Sequence, residues 1–231
     1  MLCFFQFNRY KGDNYEKMRH YFADVLIDEI EQYMDLNHKV ILDVGGANGE
    51  FCEILSSKRQ CTALNLDPFP PEITWPKSLI GFANQMPIQS SQIDLCINRG
   101  VIEHIPHALQ QLALNEIHRV LKPGGLCYLM TQPWYNPHAG HHLKPFHPLP
   151  FKWAKWLVEH TFGAAMEIRG NSYADNWLHG NTFRTMNKKC LKAGFIIDAT
   201  LDTHFKLHFL TRIPLIREFL VPSVVWILRK A

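Results

Sequence analysis

The 231 residues are predicted to form one α/β domain on a mostly parallel sheet, and three observations carry that prediction. Short apolar runs of strand length alternate with longer amphipathic stretches, the pattern of strands joined through crossover helices. Val40-Ile41-Leu42-Asp43-Val44 is apolar apart from Asp43, as a strand covered on both faces requires. It opens directly into Gly45-Gly46-Ala47-Asn48-Gly49, where glycines let the backbone turn sharply and lie against a ligand with no Cβ in the way.

Taken in order, Asp13-Asn14-Tyr15-Glu16 has capping-box spacing, and Met18, Tyr21, Phe22, Val25, Leu26, Ile30 and Tyr33 recur at three- and four-residue steps, so a leading helix is expected over 13–35. Strands are expected near 40–44, 62–66, 79–82, 93–98 and 126–131, with helical stretches between them. The first of these helices follows the glycine turn and carries Phe51, Ile54 and Leu55. Thr182 to Ala193 reads as a helix stopped by Gly194, and Phe195 to Leu201 as a strand. A last strand is expected over 221–229, with Pro222 near its start.

The spacing of the glycine turn narrows the ligand. A dinucleotide fingerprint has glycine at the first, third and sixth positions, so that a helix N-terminus can receive a pyrophosphate. Here those positions are Gly45, Ala47 and Glu50, and the Glu50 carboxylate would repel phosphate while tolerating a sulfonium. No Gly-Lys-Ser/Thr occurs, which excludes a P-loop.

Four blocks in sequence order now resemble the class I S-adenosylmethionine-dependent methyltransferases. Leu42 to Gly49 resembles the first motif of that family, and Leu64-Asn65-Leu66-Asp67 its second strand. Gly81-Phe82-Ala83-Asn84-Gln85-Met86-Pro87-Ile88, followed by Ile93 to His104, resembles the adenine loop and fourth strand. Glu116 to Gly125 resembles the helix and turn that lead into the fifth strand. The resemblance implies a Rossmann-like seven-stranded, mostly parallel sheet with helices on both faces and the last strand antiparallel. It implies S-adenosyl-L-methionine as cofactor, held by Asp43, Gly45, Gly46, Ala47, Gly49, Asp67, Pro68, Phe82, Ala83, Asn98 and Arg99. Asp67 is the candidate for the ribose hydroxyls. The chain departs from the family at Ala47, often glycine there, and at Phe82, often aspartate. A Phe82 ring could pack on the adenine face while the Ala83 backbone supplies polar contacts.

The cofactor-binding half is assigned to 40–131, a substrate lid to 132–181, and a C-terminal helix and strands to 182–231. The lid of about fifty residues is far longer than the roughly 2–6 residues usual between a strand and helix. It leaves the fifth strand on the side where open α/β sheets bind ligands. A helix within it is expected to carry Trp153, Trp156, Leu157 and Phe162. His138, His141, His142 and His147 crowd its first part. They could hydrogen-bond the backbone of a fixed lid, contact substrate or remove a proton, or bind zinc. The spacing matches no standard zinc pattern, so no metal ligand is assigned. Base candidates are His104, His141, His142 and His147. Glu103 is read as a tether for the loop after the fourth strand, and Arg99 could instead grip an acceptor carboxylate or phosphate.

With 47% hydrophobic residues the chain can bury one substantial core. Its six cysteines form no C-x-x-C pair, which suits reduced thiols and a cytoplasmic setting. The apolar N-terminus lacks the basic flank and length of a signal peptide, and no stretch reaches the ~20 apolar residues of a spanning helix. Residues 1–130 hold 11 Lys/Arg and 15 Asp/Glu, whereas 131–231 hold 13 and 6, so the substrate half is basic. Basic and apolar residues mix over 204–217, where peripheral membrane contact is one possibility and an ordinary connector the other. Without a dense Lys/Arg cluster, nucleic acid is not expected as a partner. The leading expectation is methyl transfer to an oxygen, less readily a nitrogen, of a small-molecule or saccharide acceptor. The alternatives are a lipid-linked acceptor at a membrane surface and a non-catalytic S-adenosylmethionine-binding partner protein.

Overall fold

The structure is a computed structural model that describes residues 13–69, 75–162, 168–203 and 206–231. Its elements run α1 (Asp13–Glu31), β1 (Val40–Val44), α2 (Glu50–Lys58), β2 (Thr62–Asp67), β3 (Ser78–Ile80), β4 (Ile93–Arg99), α3 (His107–Val120), β5 (Leu121–Thr131), α4 (Phe151–Phe162), α5 (Phe183–Lys192), β6 (Phe195–Asp202), α6 (Pro214–Phe219) and β7 (Val224–Lys230). The strands form one seven-stranded sheet in the order β3-β2-β1-β4-β5-β7-β6. β1 to β5 pair in parallel, and β7 lies antiparallel between β5 and β6. This is the Rossmann-like sheet the resemblance implied, with the last strand reversed.

Alternation along the central strands divides the core. Leu42, Cys96, Cys127 and Leu129 face Ala113, Leu114, Ile117 and Val120 of α3 and Phe183, Met186 and Cys190 of α5. Ile41, Leu95 and Ile97 face Ala23, Leu26, Ile27 and Ile30 of α1 and Phe51, Ile54 and Leu55 of α2. Strands that bury both faces need apolar residues at odd and even positions, which is why β1 and β4 read as near-continuous apolar runs.

Several boundaries differ from expectation for physical reasons. α1 stops at Glu31, short of 35, because Asp35 folds its carboxylate back onto the Asn37 amide in a turn. The expected capping box at 13–16 lies outside the described side chains. β3 ends at Ile80, leaving Phe82 in a turn closed by the Gln85 N–H donating to the Phe82 carbonyl at 2.9 Å. β5 begins at Leu121 rather than 126. Ile93 faces Leu121 while Leu95 faces Leu126, so Lys122-Pro123-Gly124-Gly125 bulges out of the strand without ending it. β7 begins after Pro222, at Val224. α5 is capped by Thr182, which accepts from the Thr185 N–H at 3.1 Å, and the Glu218 carboxylate of α6 accepts from the Phe183 N–H at 3.0 Å. Among the described residues no helix is long and apolar enough to cross a membrane.

Candidate active site

The carboxyl ends of β1, β2, β3 and β4 line one edge of the sheet, and the candidate cofactor residues lie there. Gly45 has φ +79°, and a Cβ on it would stand 2.5 Å from Val101 Cγ2. Its N–H donates to the Leu66 carbonyl at 2.7 Å, tying the turn to β2. A Cβ on Gly46 would collide with the Asn65 amide oxygen and with Asp43 Oδ2. Gly49, at φ +76°, caps α2. Ala47 keeps the left-handed backbone at φ 47° without being glycine. It is held there because its N–H donates 3.0 Å to Asp67 Oδ2 and its carbonyl accepts 2.8 Å from Asn65 Nδ2. The departure from glycine at this position is therefore compensated by hydrogen bonds.

Asp67 also accepts from the Phe69 N–H at 2.9 Å, across Pro68, so its carboxylate joins the β2 end to the glycine turn. Asp43 is buried, and burial pushes its carboxyl up to about 6, opposed by the Arg99 guanidinium and reinforced by Asp67. Arg99 is exposed and lies 5.8 Å over the Phe51 ring. Glu50, the carboxylate at the sixth position of the turn, pairs with Arg19 of α1 at 3.0 Å. Phe82 is 62% exposed, so its ring face is open to a planar ligand, and Ala83 packs beside the core. Glu116 and Arg119 of α3, which sequence reasoning did not single out, hold this loop. Glu116 accepts from the Met86 N–H at 2.8 Å, and Arg119 donates to the Ile88 carbonyl at 2.8 Å.

Two unpaired groups test whether this edge fits a polar ligand. Asn98, fully buried at the end of β4, has neither amide atom paired among the described residues, and the Asn65 amide oxygen beside Gly46 is likewise unpaired. Buried amides without partners are costly unless something else completes them. Unpaired amides, acids on the first two strands and a glycine cradle fit the cofactor that the resemblance implied.

The lid leaves and returns at one point, because Trp134 N–H donates to the Asn181 carbonyl at 2.9 Å and Pro133 bridges Asn181. Leu143, Phe151, Ala154 and Leu178 give it a small core of its own. α4 buries Phe151, Ala154 and Val158 and turns Trp153, Trp156 and Phe162 outward. Gln110 of α3 staples lid to sheet: its side-chain amide donates to the carbonyls of Ile102, Ile105 and His179 at 2.9–3.0 Å. This buried clamp, extended by Asn181 and Lys189, gave no sequence signal beyond a polar residue on an apolar helix face.

The structure separates the candidate histidines. His147 is fully buried, donates from Nε2 to the Trp134 carbonyl at 2.6 Å, and meets the Trp134 ring edge-on at 4.9 Å. Burial lowers its pKa, and we assign it to lid packing, which corrects its place among the base candidates. His142 is exposed, and His138 N–H bonds the Asn136 side chain. His104, in the 3-10 turn Ile102–His104, binds the Trp177 carbonyl through Nδ1 at 2.7 Å, and its ring lies 5.0 Å from that of His141. Since a carbonyl only accepts, neutral His104 carries its proton on Nδ1 and leaves Nε2 with a lone pair. His141 is an exposed residue, and neighbouring protein around its ring pushes its pKa down to about 4, with His104, His142, Lys144 and His147 adding to the effect. Glu103 is buried and accepts from the Thr131 hydroxyl at 2.9 Å, and burial raises its pKa.

A glycine cradle after β1, a carboxylate at the end of β2, an open aromatic loop after β3 and a long lid over the same edge define a class I S-adenosylmethionine-dependent methyltransferase. The family profile described as "Methyltransferase domain" matches residues 15–175, and the chain belongs to that family. An uncharacterized methyltransferase of Mycobacterium bovis is 28% identical over 205 residues, covering 82% of this chain and 76% of the relative. Among solved structures, the 1,6-didemethyltoxoflavin-N1-methyltransferase of Burkholderia thailandensis, with its substrate and S-adenosylhomocysteine bound, is similar at TM-score 0.59 and 12% identity, covering 92% of this chain and 78% of that one. An S-adenosylmethionine-dependent methyltransferase of Mesorhizobium loti is similar at TM-score 0.59 and 15% identity, covering 90% and 99%.

Proposed function

We propose that the protein transfers a methyl group to a hydroxyl oxygen of a small-molecule or saccharide acceptor admitted beneath the lid. The observation that carries this reading is the Glu103–His104–His141 cluster, set where the turn after β4 meets the lid. S-adenosylmethionine supplies a methyl group already activated on its sulfonium, so the protein's tasks are alignment and removal of one proton. Asp67 and Asp43 would hold the polar parts of the cofactor, Phe82 its adenine face, and Arg99 the entrance beside Phe51. The acceptor oxygen would rest against the cluster, which takes up the charge as the hydroxyl loses its proton. A nitrogen acceptor would have less need of such a group.

A second reading, a lipid-linked acceptor, is supported by one observation. Leu215 is 74% exposed, Leu220 61% and Phe209 55%, beside the exposed Lys206 and Arg212. This face adjoins the lid through Phe219, which stacks on Tyr135 at 5.6 Å and accepts from Asn136 Nδ2 at 3.0 Å. Apolar and basic residues together suit an anionic lipid interface.

The deciding experiment is calorimetric titration of the purified protein with S-adenosylmethionine and S-adenosylhomocysteine, followed by a panel of hydroxylated acceptors with and without anionic vesicles. Asp67→Ala should weaken cofactor binding by about tenfold or more, the scale of hydrogen bonds to a charged group. His104→Ala should bind cofactor normally and lose turnover. Turnover only with vesicles would select the lipid-linked acceptor, and cofactor binding with no turnover on any acceptor would refute the catalytic reading.

A further inference from the structure

We propose that Glu103, His104 and His141 form a binding site for one divalent first-row transition cation at the junction of the β4 turn and the lid. The inference rests on the reading above only for its consequence, that the cation would contact the acceptor oxygen. One ligand atom from each of the three residues lies within 4.8 Å of those of the other two. Ligands about 2.0–2.2 Å from a tetrahedral zinc-like ion stand about 3.4 Å apart, so side-chain shifts of up to about an ångström would close the set around an ion.

Three further features support the assignment. The ligands are oriented from behind, His104 by the Trp177 carbonyl at 2.7 Å and Glu103 by the Thr131 hydroxyl at 2.9 Å. Metal-ligating histidines commonly donate their second ring N–H to such a group, which fixes the tautomer and ring direction. The backbone is also held in an uncommon form at this place. His141 has φ 48° and Trp177 φ 53°, left-handed conformations that non-glycine residues adopt at a cost, and both residues meet His104. Finally, the donor set suits the ion. Two imidazoles and one carboxylate match the preferences of zinc, manganese or iron and leave positions open for an oxygen ligand.

Sequence spacing concealed this set, because it weighed the lid histidines against one another. The structure pairs only one of them with Glu103-His104, from a different segment. The consequence for chemistry is specific. A cation coordinated here would lower the pKa of an acceptor hydroxyl bound to it and stabilise the oxyanion that attacks the methyl group. The proton leaves to water, the O–C bond forms and the S–C bond breaks.

The test is calorimetric titration of the chelator-stripped full chain with Zn2+ and Mn2+, together with the visible absorption of bound Co2+. The expected result is uptake of one ion per chain, weakened at least about tenfold by His141→Asn, the scale seen on disturbing metal-site partners. Asparagine tolerates the left-handed backbone, so this variant should fold. His142→Asn should leave uptake unchanged. S-adenosylhomocysteine affinity of His141→Asn should also stay within twofold of the parent. Absence of stoichiometric uptake, or uptake that survives His141→Asn, would overturn the site. Loss of S-adenosylhomocysteine binding in the parent protein would instead count against the cofactor assignment, and the two failures are read separately.

Discussion

Replacing Gly45 with alanine should break the cofactor turn in a way that a second substitution partly repairs. The new Cβ would stand 2.5 Å from Val101 Cγ2, 2.9 Å from Cγ1 and 3.3 Å from Cβ, on a backbone at φ +79°. Two costs follow: overpacking against a branched side chain, about 1–3 kcal/mol, and left-handed strain, roughly 1–2 kcal/mol. Together they come to about 2–5 kcal/mol, shared between stability and cofactor affinity according to whether the turn yields or holds. Val101→Ala removes both Cγ atoms and should return the steric part, leaving the strain. The assay is a four-member cycle of parent, Gly45→Ala, Val101→Ala and the double variant, each measured for S-adenosylhomocysteine affinity and thermal midpoint. Gly45→Ala should bind at least about tenfold more weakly or melt several degrees lower, and the double variant should recover by about 1 kcal/mol or more. A double variant no better than Gly45→Ala would refute the steric argument. A single variant indistinguishable from the parent would refute the whole of it.

Asp43 predicts a pH dependence with a definite sign. Its folded pKa is raised from the usual carboxylate value of 3.8 to about 6, so the folded state favours the protonated acid. This contribution is fully present below about pH 4 and is lost as pH rises through about 6. Asp43→Asn, which cannot ionise, should therefore gain thermal stability relative to the parent between pH 4.5 and 7.5, and a constant difference would sink the assignment. In α3, Arg119→Met removes donors to the carbonyls of Ile88 and Met86. S-adenosylhomocysteine should then bind several-fold more weakly, with adenosine-free analogues of its methionine end unaffected; equal losses for both would point to a global effect.

The sheet was legible because each central strand must bury two faces, and runs such as Val40 to Val44 and Ile93 to Asn98 have few other uses. The cofactor turn was legible for a related reason, since φ and close approach dictate residue type at Gly45, Gly46 and Gly49. Ala47 looked like a weakness and is not one, because its stabilising partners, Asp67 and Asn65, lie on another strand. The lid was visible as an overlong connection, yet its histidines could not be sorted. Whether an imidazole packs or performs chemistry depends on what surrounds it: His147 lies under Trp134, and His141 lies beside His104, contacts made across chain separations that no local pattern records. The same limit hid Glu116, Arg119 and Gln110, whose side chains act on the backbone of other segments.

Those long-range contacts couple the two halves of the site through one short turn. Val101 packs against Gly45, so the turn after β4 senses the conformation of the glycine loop. Glu103 accepts the His179 N–H at its carbonyl at 2.7 Å, His104 holds the Trp177 carbonyl, and Gln110 gathers Ile102, Ile105 and His179 onto one amide. A ligand that settles the glycine loop therefore acts on the same turn that anchors the returning segment of the lid. Packed interfaces of this kind shift between discrete arrangements instead of deforming smoothly. Cofactor and acceptor binding should accordingly be coupled, since one short turn carries both the contact with Gly45 and the His104–His141 pair. Acceptor binding measured without S-adenosylhomocysteine should be weaker than with it, and by reciprocity the acceptor should tighten S-adenosylhomocysteine by the same factor. Equal affinities in the two conditions would mean that the turn holds both elements without transmitting anything between them.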